Sequence, residues 1–191
     1  MVDVQLTKNE IVKAILKNDS KKNIERIFTR LDKKYNDWAL KNIKEQKQDF
    51  NTIMKNTTKQ VKQKIINNIN ELKKIDTTNM KKAEAERTIH DAIDNKKLFT
   101  MTTRNGRQIK LDYYARMVAQ NLVNKNKVNE TLAQAEAESK DLVKVSSHSG
   151  SCKVCRQFEG RIFSISGNSK KYPKLPDINP HPNCTHLIKV I

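Results

Sequence analysis

The first 105 residues of this 191-residue chain contain neither glycine nor proline, and no other sequence feature constrains the fold as strongly. All four glycines and all four prolines lie between Gly106 and Pro182. Glycine and proline are the residues that most often interrupt or end a helix. The distribution therefore predicts long helices in the first half of the chain and a loop-rich region near its end.

Apolar residues recur at helical spacing through the first half. One continuous stripe runs from Ile24 to Trp38 in steps of three or four residues, with Ile27 and Phe28 adjacent, and a second stripe runs from Val61 to Leu72. Stripes with this period are typical of helices that bury one face. A shorter helix is predicted to end just before Ser20, a residue suited to capping the helix that follows.

In the rest of the chain, the sequence pattern predicts helices that alternate with short strands. Residues 77–79 indicate a break before a helix that carries Met80 and Ile93. The dipeptide Asn105-Gly106 is a hairpin-turn signal. We expect a helix over residues 111–140 and a strand over residues 141–147.

These patterns predict an α+β protein in which mainly long N-terminal helices precede a small α+β C-terminal module. We divide the chain into a basic helical arm, residues 1–98, and the α+β module, residues 99–191. Hydrophobic residues make up only 36% of the chain, which is lean for one compact core. Burial of apolar surface is what offsets the entropy of ordering the chain, so this composition favours helices over a large globule.

The net charge of +17 is spread along the whole chain, because every successive block of 50 residues carries an excess of Lys and Arg. One interpretation is a solvated, Lys- and Asn-rich surface with no specific partner. The other is affinity for a polyanion, for which packaged or passing nucleic acid is the best candidate. No motif of a base-reading DNA-binding helix accompanies the charge.

Membrane insertion and secretion are not expected. The chain has no run of about 18 apolar residues, the length that a membrane-spanning helix requires. The first residues lack the basic segment and apolar stretch of a secretory signal. We expect the chain to be made in a cytoplasm and to leave it only as part of a larger particle.

Every cysteine lies near the C-terminus, in a Cys-x2-Cys pair followed after 25 residues by His-x2-Cys-x-His. Two ligands spaced in this way can be aimed at one ion by a tight turn, and two such pairs close a tetrahedral site. Thiolate and imidazole ligands favour Zn²⁺. The candidate ligands are Cys152, Cys155 and Cys184, with His181 as the fourth and His186 as its alternative. A site with four protein ligands leaves no position for water and is structural. The C-terminal module is therefore predicted to be stabilised by a structural zinc ion.

Other interpretations of the cysteines remain open at this stage. They include free thiols, a Cys152–Cys155 redox pair and a catalytic metal. The nearby His148 adds to the histidine density and would suit a zinc-dependent nuclease or toxin domain. However, Glu159 and Asp177 are the only acids after Asp141, and metal-assisted hydrolysis normally needs a general base. We therefore predict no enzyme and no catalytic residue, with a zinc-ribbon-like nucleic-acid-binding protein as a further alternative.

The region from Gly106 to the end carries several features in a characteristic order. They are Tyr114, Ala115 and Met117 in a helix, Ser146-Ser147-His148, the cysteine pair, Glu159 to Ser164, Ser166-Gly167, Tyr172-Pro173, and His181-Pro182-Asn183-Cys184 with His186. This region resembles the C-terminal part of tailed-phage minor capsid and head-morphogenesis proteins, the group named after the Mu F protein.

The resemblance implies a structural protein of the virion, located inside the phage head near the portal and made in the host bacterial cytoplasm. Its expected partners are the portal, other head proteins and packaged double-stranded DNA bound without sequence specificity. A role in head assembly or DNA ejection is implied, and no membrane is. The Cys152–Cys155 pair and the His181–Cys184 segment match the positions at which the family is thought to bind metal.

Overall fold

The computed structural model describes residues 2–103, 106–178 and 184–191. The protein is α+β and 60% helical, which confirms the predicted class. No helix in the described part of the chain is both long enough and apolar enough to cross a membrane. The elements in chain order are α1 (Val4–Leu16), α2 (Lys21–Asn42), a one-turn 3-10 helix (Lys44–Gln46), α3 (Lys47–Lys73), α4 (Lys82–Asn95), β1 (Thr100–Thr102), β2 (Gln108–Lys110), α5 (Leu111–Ala137), β3 (Leu142–Val145), α6 (Lys153–Arg156), β4 (Ile162–Ser164) and β5 (Ile188–Val190).

The chain divides into two compact units, Met1–Arg116 and Met117–Ile191. The first unit contains α1 to α4, the β1–β2 hairpin and the start of α5. The second contains the rest of α5, α6 and the three remaining strands. The domain boundary between residues 98 and 99 remains a prediction from the sequence.

The core of the first unit is formed by the apolar stripes that the sequence pattern predicts. Helix α2 buries Phe28 and Tyr35, and helix α3 buries Phe50. The Phe50 ring lies 6.0 Å from the Tyr35 ring and 5.3 Å from the Trp38 ring, measured between centroids. Phe28 stacks on Phe99 at 6.1 Å. Aromatic contacts at these distances stabilise the packing beyond simple burial.

The predicted helix ends are confirmed in one place and corrected in another. Ser20 caps α2, and its side chain accepts a hydrogen bond from the Asn23 N–H at 3.3 Å. The prediction that Met80 lies within the fourth helix is wrong, because α4 begins at Lys82. The Met80 N–H instead donates to the Thr77 carbonyl, which continues the turn between the helices.

The β1–β2 hairpin follows α4 as the turn signal predicts. Thr100 pairs with Lys110 and Thr102 with Gln108 in an antiparallel register. Gly106 has a φ of +80°, a conformation that favours glycine. Asn105, the other half of the turn signal, lies outside the described residues. Lys64 of α3 donates to the Thr100 carbonyl at 2.9 Å, which fastens the hairpin to the helices of its own unit.

The second unit is built around a three-stranded antiparallel sheet with strand order β4-β3-β5. In the central strand, Val143 pairs with Phe163 on one side and Val190 on the other. The α5 helix contributes Val128 to the core of this unit. Among the described residues, the buried cluster that packs on this sheet contains Val128, Val143, Val145, Phe163, Ile178 and Ile188.

We expect Phe50→Ala to destabilise the first unit by about 3–5 kcal/mol, because the substitution removes a fully buried ring and leaves a cavity. Urea unfolding followed by helical circular dichroism would measure the loss. Gln48→Ala, at a nearby exposed position of α3, is the matched control. A Phe50→Ala protein as stable as this control would contradict the described core.

Candidate metal centre

The sheet brings the two halves of the Cys/His pattern to one place. Strand β5 runs antiparallel to β3, with Val145 paired to Ile188. The chain that leaves β3 and the chain that enters β5 therefore lie at the same end of the sheet. The Ser146 N–H donates to the Leu187 carbonyl at 2.9 Å and extends this pairing beyond the strands.

The first half of the pattern forms a tight helical turn. Cys152 is the N-cap of α6, and its sulfur accepts a hydrogen bond from the Cys155 N–H at 3.4 Å. Cys152 is exposed and Cys155 is buried. The Cys-x2-Cys pair is therefore folded as the tight turn that its spacing predicts.

The second half of the pattern is an extended segment that precedes β5. Cys184 and His186 are both buried, with 2% and 3% of their surface exposed. Alternate residues of an extended chain project to the same side, so both side chains reach the same site. The Asn124 side chain of α5 donates to the Cys184 carbonyl at 3.0 Å, and the Cys184 sulfur donates to the Ile178 carbonyl at 3.0 Å.

Among the described residues, Cys155, Cys184 and His186 form a cluster whose ligand atoms all lie within 4.8 Å of one another. The Cys155 and Cys184 sulfurs are 3.8 Å apart, and the Cys184 sulfur is 3.3 Å from His186 Nδ1. Tetrahedral zinc–sulfur bonds of about 2.3 Å place two sulfurs roughly 3.8 Å apart. The three residues could therefore hold a metal ion, and the sulfur–sulfur distance is the one expected at a tetrahedral zinc site.

The pKa values of the two cysteines of the helical turn move in opposite directions. The hydrogen bond from the Cys155 N–H lowers the pKa of the exposed Cys152 thiol. Burial raises the pKa of the Cys155 thiol to about 12, and contacts with Cys152 and Cys184 add to the effect. A bound divalent cation reverses such a shift, because a coordinating thiol loses its proton. Without a cation, Cys155 is therefore a neutral, buried thiol.

Behind the cluster, one carboxylate connects several groups. The Oε1 atom of Glu159 lies 2.9 Å from His186 Nε2 and accepts from the His148 N–H at 2.9 Å and from the Ser151 hydroxyl. The bond from Ser151, with those from His186 and His148, lowers the pKa of Glu159 to about 2. Glu159 is therefore ionised at neutral pH.

His148 lies beside the cluster. Its ring centroid is 4.9 Å from that of His186, with the two rings nearly perpendicular. His148 Nε2 shares a hydrogen bond of 2.8 Å with the Ser146 hydroxyl. These contacts place His148 in the wall of the site.

Of the predicted ligands, the structure clusters Cys155, Cys184 and His186. Cys152 is not a member of this cluster, and its sulfur accepts a hydrogen bond from the Cys155 N–H at 3.4 Å. His181, the first candidate for the fourth ligand, lies outside the described residues, so its role stays a prediction.

Two contacts around the cluster have no signal in the sequence pattern. Glu159 is 27 residues from His186, and Asn124 is 60 residues from Cys184. Neither residue belongs to the Cys/His pattern, and no spacing rule relates either of them to its partner. Only the folded chain shows these contacts.

The protein is thus a mainly helical chain whose C-terminal unit carries a Cys/His cluster. Residues 3–189 match the family model described as phage minor capsid protein 2, so the chain belongs to that family. The match confirms the resemblance of the C-terminal half and extends it over the N-terminal helices. Neither a curated protein sequence nor a solved structure matches the chain.

Membership of this family establishes a structural role in the phage head and a location in the virion. Structural minor capsid families are generally not enzymes. Head proteins are the partners that this role indicates.

Proposed function

We propose that this chain is a minor head protein inside the capsid near the portal, where it contacts packaged DNA and takes part in head assembly or DNA ejection. The first unit supplies contacts to DNA that do not depend on base sequence. The second unit is a docking module held together by a structural zinc ion. The observation that carries the proposal is the combination of family membership with a net charge of +17.

Basic side chains on the surface of α2 support the DNA contact. Lys22, Arg26 and Lys33 are exposed, and their spacing of four and seven residues places them on one face of the helix. Arg30, near the same face, pairs with Glu10 at 2.6 Å. A row of exposed cations can neutralise successive phosphates without reading the bases between them.

The donor set supports zinc in a structural role. Cys152, Cys155, Cys184 and His186 would supply four ligands, so no position would remain for a reactive water. The nearby carboxylate, Glu159, is hydrogen-bonded to His186 and to the preceding loop. Bound zinc would then contribute folding energy to a unit whose apolar core is small.

DNA binding by the full chain tests the proposed contact. We expect two unrelated duplexes to bind with equal affinity, and the affinity to fall steeply between about 50 mM and 200 mM salt because binding releases counterions. K22Q/R26Q/K33Q should weaken binding and reduce the slope of log K against log salt by about one for each phosphate that the variant no longer neutralises.

The matched control is K22R/K33R, which keeps the positive charges and should bind as the wild type does. Absence of binding at low salt would contradict the proposed contact. Strong preference for one of the two duplexes would favour the zinc-ribbon-like alternative, because a structural head protein needs no base-specific contacts.

A further inference from the structure

Three hydrogen-bond partners converge on a single oxygen of Glu159. Two of them, the His148 N–H at 2.9 Å and the Ser151 hydroxyl, belong to the loop between β3 and α6. The third partner is His186 Nε2 at 2.9 Å, on the segment that enters β5. The carboxylate therefore joins the loop that leads into Cys152 to the segment that carries Cys184 and His186.

The contact with Glu159 determines which nitrogen of His186 is available to a metal. Glu159 Oε1 accepts from the His148 N–H and from the Ser151 hydroxyl, so it acts as an acceptor and carries no proton of its own. The proton of the third contact therefore lies on His186 Nε2, which donates to Glu159. In the neutral ring the lone pair then lies on Nδ1. This is the nitrogen 3.3 Å from the Cys184 sulfur.

Ligating histidines commonly donate their second ring N–H to a carboxylate, which fixes the orientation of the ring and raises its basicity. His186 has this arrangement, because its Nε2 atom lies 2.9 Å from the Glu159 carboxylate. The ring is also enclosed, because His186 is 3% exposed and the His148 ring packs against it edge-on.

We propose that Glu159 is the positioning residue of the zinc site and holds His186 so that Nδ1 faces the cysteine sulfurs. The inference rests on the proposed zinc site. It assigns to Glu159 a role in metal affinity and in the choice of ligating nitrogen, although Glu159 itself binds no metal.

The experiment compares full-length wild type with E159A, E159Q and S151A. Competition with a chelator gives zinc affinity, and ¹⁵N NMR of the histidine rings identifies the nitrogen that binds. We expect E159A to weaken zinc binding by about 10- to 100-fold and to lose the single Nδ1-bound signal of His186. E159Q keeps an acceptor oxygen but loses the charge, so it should bind zinc through Nδ1 with an intermediate affinity.

S151A is the matched control, because it removes one bond between Glu159 and the loop while leaving the Glu159–His186 contact in place. Its affinity should stay close to that of the wild type. An E159A protein with wild-type affinity and an Nδ1-bound His186 would overturn the inference alone, as would an S151A protein as weak as E159A. A wild-type protein that binds no zinc would overturn the proposed site, and the inference with it.

Discussion

Replacing Cys155 by serine should release zinc from the full chain and leave the second unit sensitive to protease while the N-terminal helices stay folded. Cys155 is buried and lies 3.8 Å from the Cys184 sulfur, so a serine hydroxyl would take the place of a thiolate at the centre of the cluster. Structural zinc contributes about 10–16 kcal/mol to small zinc-binding peptides. That is comparable with the total stability of about 5–15 kcal/mol for an ordinary domain.

The measurements are zinc content, limited proteolysis with mass spectrometry, and helical circular dichroism. Val154→Ser is the matched control, because Val154 lies between the two cysteines in α6 and is 50% exposed. This control should retain zinc and resist the protease. Retention of zinc by Cys155→Ser would contradict the assignment of Cys155 as a ligand.

The second large effect is expected at the fourth ligand. His186→Ala should lose tightly bound zinc, because His186 places Nδ1 3.3 Å from the Cys184 sulfur at a buried position. Removal of one ligand opens a four-coordinate site to water and weakens it. Cobalt substitution would report the change as a loss of the tetrahedral absorption bands.

His181→Ala is the matched comparison, since it removes a histidine of the same His-x2-Cys-x-His segment. We expect this variant to keep its zinc and its cobalt spectrum. Loss of the metal in His181→Ala, with retention in His186→Ala, would assign the fourth ligand to His181 instead.

The helices of the first unit could be predicted from the sequence because local signals determine them. The absence of glycine and proline and the apolar stripes of α2 and α3 act within a few residues. The N-cap at Ser20 is equally local. The start of α4 could not be placed in this way, because Met80 fits the apolar period whereas the turn that holds it depends on a backbone bond to Thr77.

The candidate site could be predicted in outline for the same reason. The spacing of Cys152 and Cys155 encodes a turn, and the turn is present as the N-cap of α6. The choice between His181 and His186 could not be made from spacing, because both flank Cys184 closely. The antiparallel pairing of β3 with β5 is what brings His186 to the cluster, and that pairing joins residues more than 40 positions apart.

The positioning role proposed for Glu159 depends on the same long-range pairing. In the sequence Glu159 is one of only two acids after Asp141, which argues against a hydrolase but gives the residue no role. In the folded chain its carboxylate contacts both the loop after β3 and the segment before β5. A contact between segments so far apart has no periodic signature.

Zinc content and thiol reactivity of the purified full chain are the decisive measurements for the proposed zinc site. We expect one zinc ion per chain and three cysteines that react with a thiol reagent only after the metal is removed or the chain is unfolded. A folded chain that contains no zinc and whose three thiols titrate freely would contradict the proposed site.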